Sequence, residues 1–513
     1  MVQRHDTSLL QRAVTIRNGK IGLDGASCTP LKNEWTSFSV KLCVGTPEQC
    51  FQVVADTGSN AVIVPSCVCK EMEGAGCKNN VKCFRGTRNS STFHVPHPVD
   101  VVLMGFGDGS VVAAVATDVV RVGDLSVTMK DGVLLILDRS ELDISGDFQG
   151  VLGLGIASNA VTGVSVKMPA AAHTHELIEQ KNSLEVNSWR MDCSLEPMLC
   201  DDQVPPNHFR GKSWLTRTWV PIPALLQHGR QGGGNVDGWG YKAKLLAEQG
   251  KVTRFSMCFN SDEDSGALRF GVPTFTKPLR NVGTNHWGLD FQGLSVGAHG
   301  DPAPETLFCG PETMKPGMDS PCAIIPDSGT TMIRGPKEQL VALETSICSK
   351  WERCQNHSKG APSSAALRDL LRECSDWLKT AENGLLEIPS LFFYVKGSDG
   401  SSQAYELTAW AWVTHWSWFY GSGFKKVCSS LFDEMDYRTE KWGPVWIIGM
   451  PLFYEYDVGY DMSSKEMSLT RGKCELCSND GSPVSLSDNG LRRWPRTMHG
   501  KPRIPHYNVD LPL

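Results

Sequence analysis

FQVVADTGS at residues 51–59 and AIIPDSGTT at residues 323–331 decide how this chain is read. Each is an apolar run that ends in an Asp-(Thr/Ser)-Gly turn, and the two carboxylates, Asp56 and Asp327, stand 271 positions apart. A short apolar run bounded by turn residues reads as a buried strand. One such tripeptide would be an ordinary turn aspartate before glycine. Two of them, each followed later by a glycine-bearing apolar run (VLG at 151–153 and IIG at 447–449), indicate an internal duplication. In that arrangement each strand carries its terminal Asp to a floor between two halves, and glycine lets a second backbone segment pass close by. The hydroxyls of Thr57 and Ser328 can then bond the opposite loop. Two carboxyls within hydrogen-bonding distance cannot both ionise, so they share one proton. The ionised member can take a proton from a water while the neutral member protonates a carbonyl oxygen. No metal or cofactor is needed.

Outward from these runs the sequence is mainly β. Phe38, Val40 and Leu42 alternate before the turn Gly45-Thr46-Pro47, and Val-rich stretches recur at 101–104, 111–115 and 133–137, as expected of packed antiparallel sheets. Most of 160–235, with Cys193, Cys200 and a glycine run at 232–234, reads as an insertion. Leu245 and Leu246 before Gly250 suggest a short helix. Two longer helices are expected: one starting near Pro336 with Leu340, Leu343 and Ile347 on its face, and one carrying Leu367, Leu370, Leu371, Cys374 and Leu378. The expected division is 1–33 as an N-terminal extension or prosegment remnant, 34–250 and 251–473 as two lobes, and 474–513 as a loosely held C-terminal tail.

With 50 basic and 56 acidic residues the net charge is -6 and no long run of one sign occurs. That argues against nucleic-acid and membrane-surface roles, and no apolar stretch is long enough to span a bilayer. The 18 cysteines, with sequons at Asn89 and Asn356, favour an oxidising secretory compartment. For the same reason Cys67, Cys69, Cys77 and Cys83 are read as disulfides rather than a zinc site, and the Cys474–Cys477 pair as a staple. His94 and His97 read as a solvated loop, and the alternating Trp410, Trp412, Trp416 and Trp418 as a half-buried strand that packs. No apolar leader is visible at the N-terminus, so a longer precursor upstream is expected.

These motifs resemble the pepsin-like family of aspartic proteases. The match rests on GTP at 45–47, DTGS at 56–59, the hairpin GFGDGS at 105–110, FQGVLG at 148–153, DSGTT at 327–331 and WIIG at 446–449 before Asp457 to Asp461. It covers about 35–471 without the insertion. The resemblance implies a bilobal fold of two antiparallel β-rich lobes, with Asp56 and Asp327 catalytic in the interlobe cleft. Thr57, Gly58, Ser59, Ser328, Gly329 and Thr330 would support the catalytic loops. Phe106, Gly107, Asp108 and Gly109 would form the flap over the substrate. The family usually has a Tyr on the flap bonded to a Trp after the first catalytic loop; here Phe106 and Ile63 stand in their places, which implies a repacked apolar flap. Disulfides Cys374–Cys428 and Cys309–Cys322 are implied too. The expected protein is therefore a monomeric, cofactor-free endopeptidase with an acidic optimum, acting on extended polypeptides in the secretory pathway, a vacuole or lysosome, or outside the cell. Two alternatives stand beside it. One is a pepsin-like binding protein without useful activity, and the other is a disulfide-rich interaction module.

Overall fold

The computed structural model describes residues 27–513 apart from 73, 79–80, 87–88, 97–98, 107–108, 141–148, 157–162, 169–238, 262–265, 272–274, 276, 382, 421–422, 473, 478–494, 500–501 and 504–512. Most of the expected insertion, with Cys193 and Cys200, lies outside these residues. Within it, Gly163–Met168 forms a strand of the first lobe, paired with Val99–Phe106 on one side and with Trp239–Tyr241 on the other.

The fold is β-rich, and each half contains the same strand figure. In the first half, Gln49–Asp56 runs parallel to Val151–Gly153, which pairs antiparallel with Val62–Pro65. In the second, Cys322–Pro326 runs parallel to Gly443–Ile448, which pairs antiparallel with Ile333–Gly335. Strands buried on both faces show unbroken apolar runs, and the Cys322–Pro326 strand is buried throughout. The halves are joined by a sheet in which Ser27–Asn33 pairs with Gly266–Phe270 and Arg254–Phe259 pairs with Tyr456–Asp461. Aromatic packing crosses the junction, with Phe38 stacked on Phe259 at 3.7 Å between ring centroids.

The helix Lys337–Lys350 buries Leu340, Leu343 and Ile347. The second apolar stripe is split into Ser364–Arg372 and Cys374–Trp377. The Ser363 hydroxyl caps the first piece by accepting the Ala366 N–H at 3.1 Å. The Trp377 indole takes the Leu370 carbonyl at 2.8 Å, so that carbonyl is satisfied without a continuing helix. The Trp cluster divides in the same way. Trp410 and Trp412 are buried on a helical turn, Ala409–Trp412, and the strand begins only at Val413.

All eight disulfides formed among the described residues lie where an oxidising compartment would maintain them. They include Cys67–Cys83, Cys69–Cys77, Cys309–Cys322 and Cys374–Cys428. No described helix is long and apolar enough to cross a membrane. The expectation of a loosely held tail is corrected by four sets of contacts. Cys474 is bonded to Cys258 and Cys477 to Cys28. Arg496 donates to the carbonyls of Trp410 and Ala411 and lies 3.7 Å above the Tyr454 ring. Leu513 is buried, with its carbonyl accepting from Thr284. The fourth set, at Arg503, reaches the site described next.

Candidate active site

The repeated strand figure fixes both aspartates. Asp56 ends its strand opposite Gly153, and Asp327 follows Pro326, which lies opposite Ile448. A Cβ on Gly153 would sit 2.3 Å from the Ala61 nitrogen, and one on Gly449 would sit 2.2 Å from the Thr330 carbonyl oxygen. Only a residue without a side chain lets these passing segments reach the two Asp loops.

The loops are bound to each other reciprocally. Thr57 N–H donates to Ser328 Oγ at 3.0 Å, and Ser328 N–H donates to Thr57 Oγ1 at 3.0 Å. Thr57 Oγ1 donates to the Pro326 carbonyl at 3.1 Å, and Ser328 Oγ to the Ala55 carbonyl at 2.8 Å. Because donors and acceptors are fully buried and all paired, the grip is rigid. Asp56 and Asp327 are both buried, and the Asp56 carboxyl packs against the Asp327 loop, where a Cβ on Gly329 would lie 2.3 Å from Asp56 Oδ1. Gly58 N–H reaches Asp56 Oδ1 at 2.9 Å, and Gly329 N–H reaches Asp327 Oδ1 at 2.9 Å. Thr330 Oγ1 donates to Asp327 Oδ2.

Burial, followed by the repulsion of Asp327, pushes Asp56 up to about 7, against the pull of Arg503. Beside the pair, burial holds the His286 imidazole down to about 4 although Asp327 pulls the other way. Burial also pushes the Tyr460 phenol up. His286 stood outside every sequence motif, and Tyr460 lay within the 457–461 stretch without being singled out. Their nearness comes from folding, and no local signal marks it.

Arg503 is the least expected member. Its guanidinium Nη2 lies 3.5 Å from Asp56 Oδ2, and the two side chains are 7% and 3% exposed. Its backbone is paired in both directions with Thr331: the Arg503 N–H donates to Thr331 Oγ1 at 2.7 Å, and the Thr331 N–H donates to the Arg503 carbonyl at 3.0 Å. Arg503 Nη1 is buried without a hydrogen-bond partner.

The hairpin over the first lobe pairs Gly105 with Ser110 and Phe106 with Gly109; Gly107 and Asp108 lie outside the described residues. Ile63 is 1% exposed, in an apolar cluster with Val102, Met104 and Val111. No pair of His or Cys in metal-ligand geometry accompanies the site among the described residues. The one candidate grouping, Cys43, Glu48 and Cys50, involves cysteines already bonded to each other.

The family model for eukaryotic aspartyl proteases matches residues 37–194. Procardosin-B of Cynara cardunculus is 24% identical over 459 residues, covering 85% of this chain and 84% of that protein. Pregnancy-associated glycoprotein 1 of Ovis aries is 38% identical over 135 residues, covering 26% of this chain and 34% of that protein. Pepsin A-5 of Mus musculus is 33% identical over 124 residues, covering 24% of this chain and 30% of that protein. The chain is similar to the pepsin-like aspartic proteases. The β-rich fold, with its strand figure repeated in each half, agrees with that likeness. The matches to the sheep and mouse relatives span about a third of their length.

Proposed function

We propose that this protein is an aspartic endopeptidase in which Asp56 and Asp327 share one proton and activate a water against a peptide bond. The observation that carries the reading is the meeting of two buried carboxyls, Asp56 and Asp327, on loops held together by a reciprocal grip. Like charges this close oppose ionisation of both. With Asp56 pushed up to about 7, Asp56 is the member that holds the proton. Asp327 accepts from Gly329 and Thr330. Asp327 takes a proton as the water oxygen bonds the carbonyl carbon, and Asp56 gives its proton to the carbonyl oxygen. Collapse of the tetrahedral species, with the proton on Asp327 passing to the leaving nitrogen and a hydroxyl proton returning to Asp56, separates the two peptides and restores the pair.

The shared proton is retained only in acid, so the optimum is acidic. An extended peptide of several residues would lie across the cleft under the Phe106 hairpin, whose support at Ile63 is apolar. The disulfides agree with a secretory, vacuolar or extracellular location. Cleavage of a mixed peptide library between pH 3 and 7, analysed by mass spectrometry, tests the reading. Products that appear in acid and vanish in Asp56→Asn are expected; products that persist in that variant would reject it.

A further inference from the structure

We propose that the arc from Cys474 to Cys477 is a thiol–disulfide exchange site, at which a dithiol reductant opens the exposed Cys28–Cys477 bond and the freed Cys477 then takes Cys474 from Cys258. The site is independent of the endopeptidase reading. Placement, accessibility and charge each support it.

Placement follows from the register of the sheet that joins the halves. Cys28 on Ser27–Asn33 lies opposite Arg269, and Cys258 on Arg254–Phe259 lies opposite Ala267. Residues directly opposite share a face, as do residues two apart on one strand. Ala267 and Arg269 are two apart on Gly266–Phe270, so Cys28, Cys258 and Arg269 all stand on one face. The two bonds that leave this face end on cysteines of a single Cys-x-x-Cys run, Cys474 and Cys477, a spacing suited to closing on itself in dithiol–disulfide chemistry. Cys477 packs against the cluster of Cys258, Ala267 and Cys474. The backbone of the arc has its own ties: Arg269 donates to the Glu475 carbonyl, and Asn260 Nδ2 donates to the Cys474 carbonyl at 3.1 Å. Opening one bond therefore leaves both cysteines of the arc at this face.

Accessibility sets the order. Cys28 is exposed and Cys477 is half-buried, whereas Cys258 and Cys474 are only 1% and 7% exposed. A dithiol in solution thus meets the Cys28–Cys477 bond first. Charge favours the second step. Arg269 Nη1 lies 3.5 Å from Cys258 Sγ, while also pairing with Asp457 Oδ2 at 3.2 Å. A guanidinium beside a sulfur stabilises its thiolate, and a stabilised thiolate is the faster leaving group in exchange.

One thiolate of the dithiol attacks Cys28 Sγ and expels Cys477 as a thiolate. Cys477 attacks Cys474 Sγ, which forms the Cys474–Cys477 bond and expels Cys258 as a thiolate beside Arg269. The second thiol of the reductant then attacks the reductant sulfur held on Cys28 and releases Cys28. Two electrons and two protons pass from the dithiol, which becomes a disulfide. The chain is left with one bond in place of two and with thiols at Cys28 and Cys258, and the arc is untied from both strands.

The test exposes the full chain, under native conditions, to graded dithiothreitol, followed by N-ethylmaleimide, digestion and disulfide mapping by mass spectrometry. The first reduced species is expected to carry a Cys474–Cys477 bond and maleimide on Cys28 and Cys258, with the other six disulfides among the described residues closed. Maleimide on Cys28 and Cys477 with Cys258–Cys474 intact would overturn the exchange, and so would another disulfide opening first or no reduction short of unfolding. Arg269→Gln, checked for folding by thermal melts, should lower the yield of the Cys474–Cys477 species at least five-fold at equal time. An unchanged yield would remove the guanidinium from the step, and if that variant does not fold the parental map decides.

Discussion

Asp56 concentrates the electrostatics of the site, because its carboxyl is buried, faces Asp327 and is opposed mainly by Arg503. Its proton is bound in the fold up to about pH 7, whereas the unfolded chain releases it near 3.8. Between those values the native state holds more protons, so the contribution of this group to stability is complete below about 3.8 and is lost as pH rises toward 7. Asp56→Asn removes this slope. Urea midpoints at pH 4.5 and 7.5 should therefore differ less in the variant than in the parent; an unchanged difference would show that Asp56 is not raised. At the same scale, the motif itself made the two aspartates, Thr57, Ser328 and the neighbouring glycines legible before any coordinates. Arg503 and His286 were not legible, since each is brought to the site by tertiary contacts with segments remote in sequence.

At the scale of elements, the repeated unit is the three-strand figure in which one glycine-bearing strand passes an Asp loop. In the second half, Gly449 N–H donates to Met332 and Met450 N–H donates to Thr330. A methyl group on Gly449 would meet the Thr330 carbonyl at 2.2 Å, and backbone cannot give way as a flexible side chain can. Gly449→Ala should cost about 1–3 kcal/mol in stability through overpacking and reduce turnover by displacing the Asp327 loop. Denaturation midpoints together with kcat measure both, and a variant with parental values would show that the close approach is dispensable. Strand positions around both loops were readable because an apolar run ending in Asp-Thr-Gly or Asp-Ser-Gly has few other uses. The split of the 367–378 stripe was not readable, because the Trp377 indole bond to Leu370 and the pinning of Cys374 to Cys428 override the local helical period. The Trp410–Trp412 turn escaped for a similar reason: alternation over so few residues does not separate a strand from a helical turn packed on all sides.

Across the whole molecule, the two halves are joined by a shared sheet and then clasped by the tail. Cys28–Cys477 closes a span of 449 residues and Cys258–Cys474 one of 216, and cross-links over long spans restrict the unfolded chain most. Replacing Cys28 and Cys477 together by Ser should lower stability by about 2–5 kcal/mol. Differential scanning calorimetry would register the loss, and unchanged melting would place the clasp outside the stability of the fold. The bilobal plan was visible in the duplicated motif. The tail's role was not, because a stretch rich in Pro, Ser, Asp and Arg shows no apolar period, and its attachment is made by two disulfides and a few inserted side chains. The central claim is that one proton is shared between Asp56 and Asp327, and kcat/KM against pH tests it most directly. The measurement is made in the parent, Asp56→Asn and Asp327→Asn. A shared proton predicts a bell-shaped acidic profile whose alkaline limb falls near pH 7, and a loss of about 10²–10⁴-fold or more in either Asn variant; a variant that keeps parental cleavage and the same profile would contradict it.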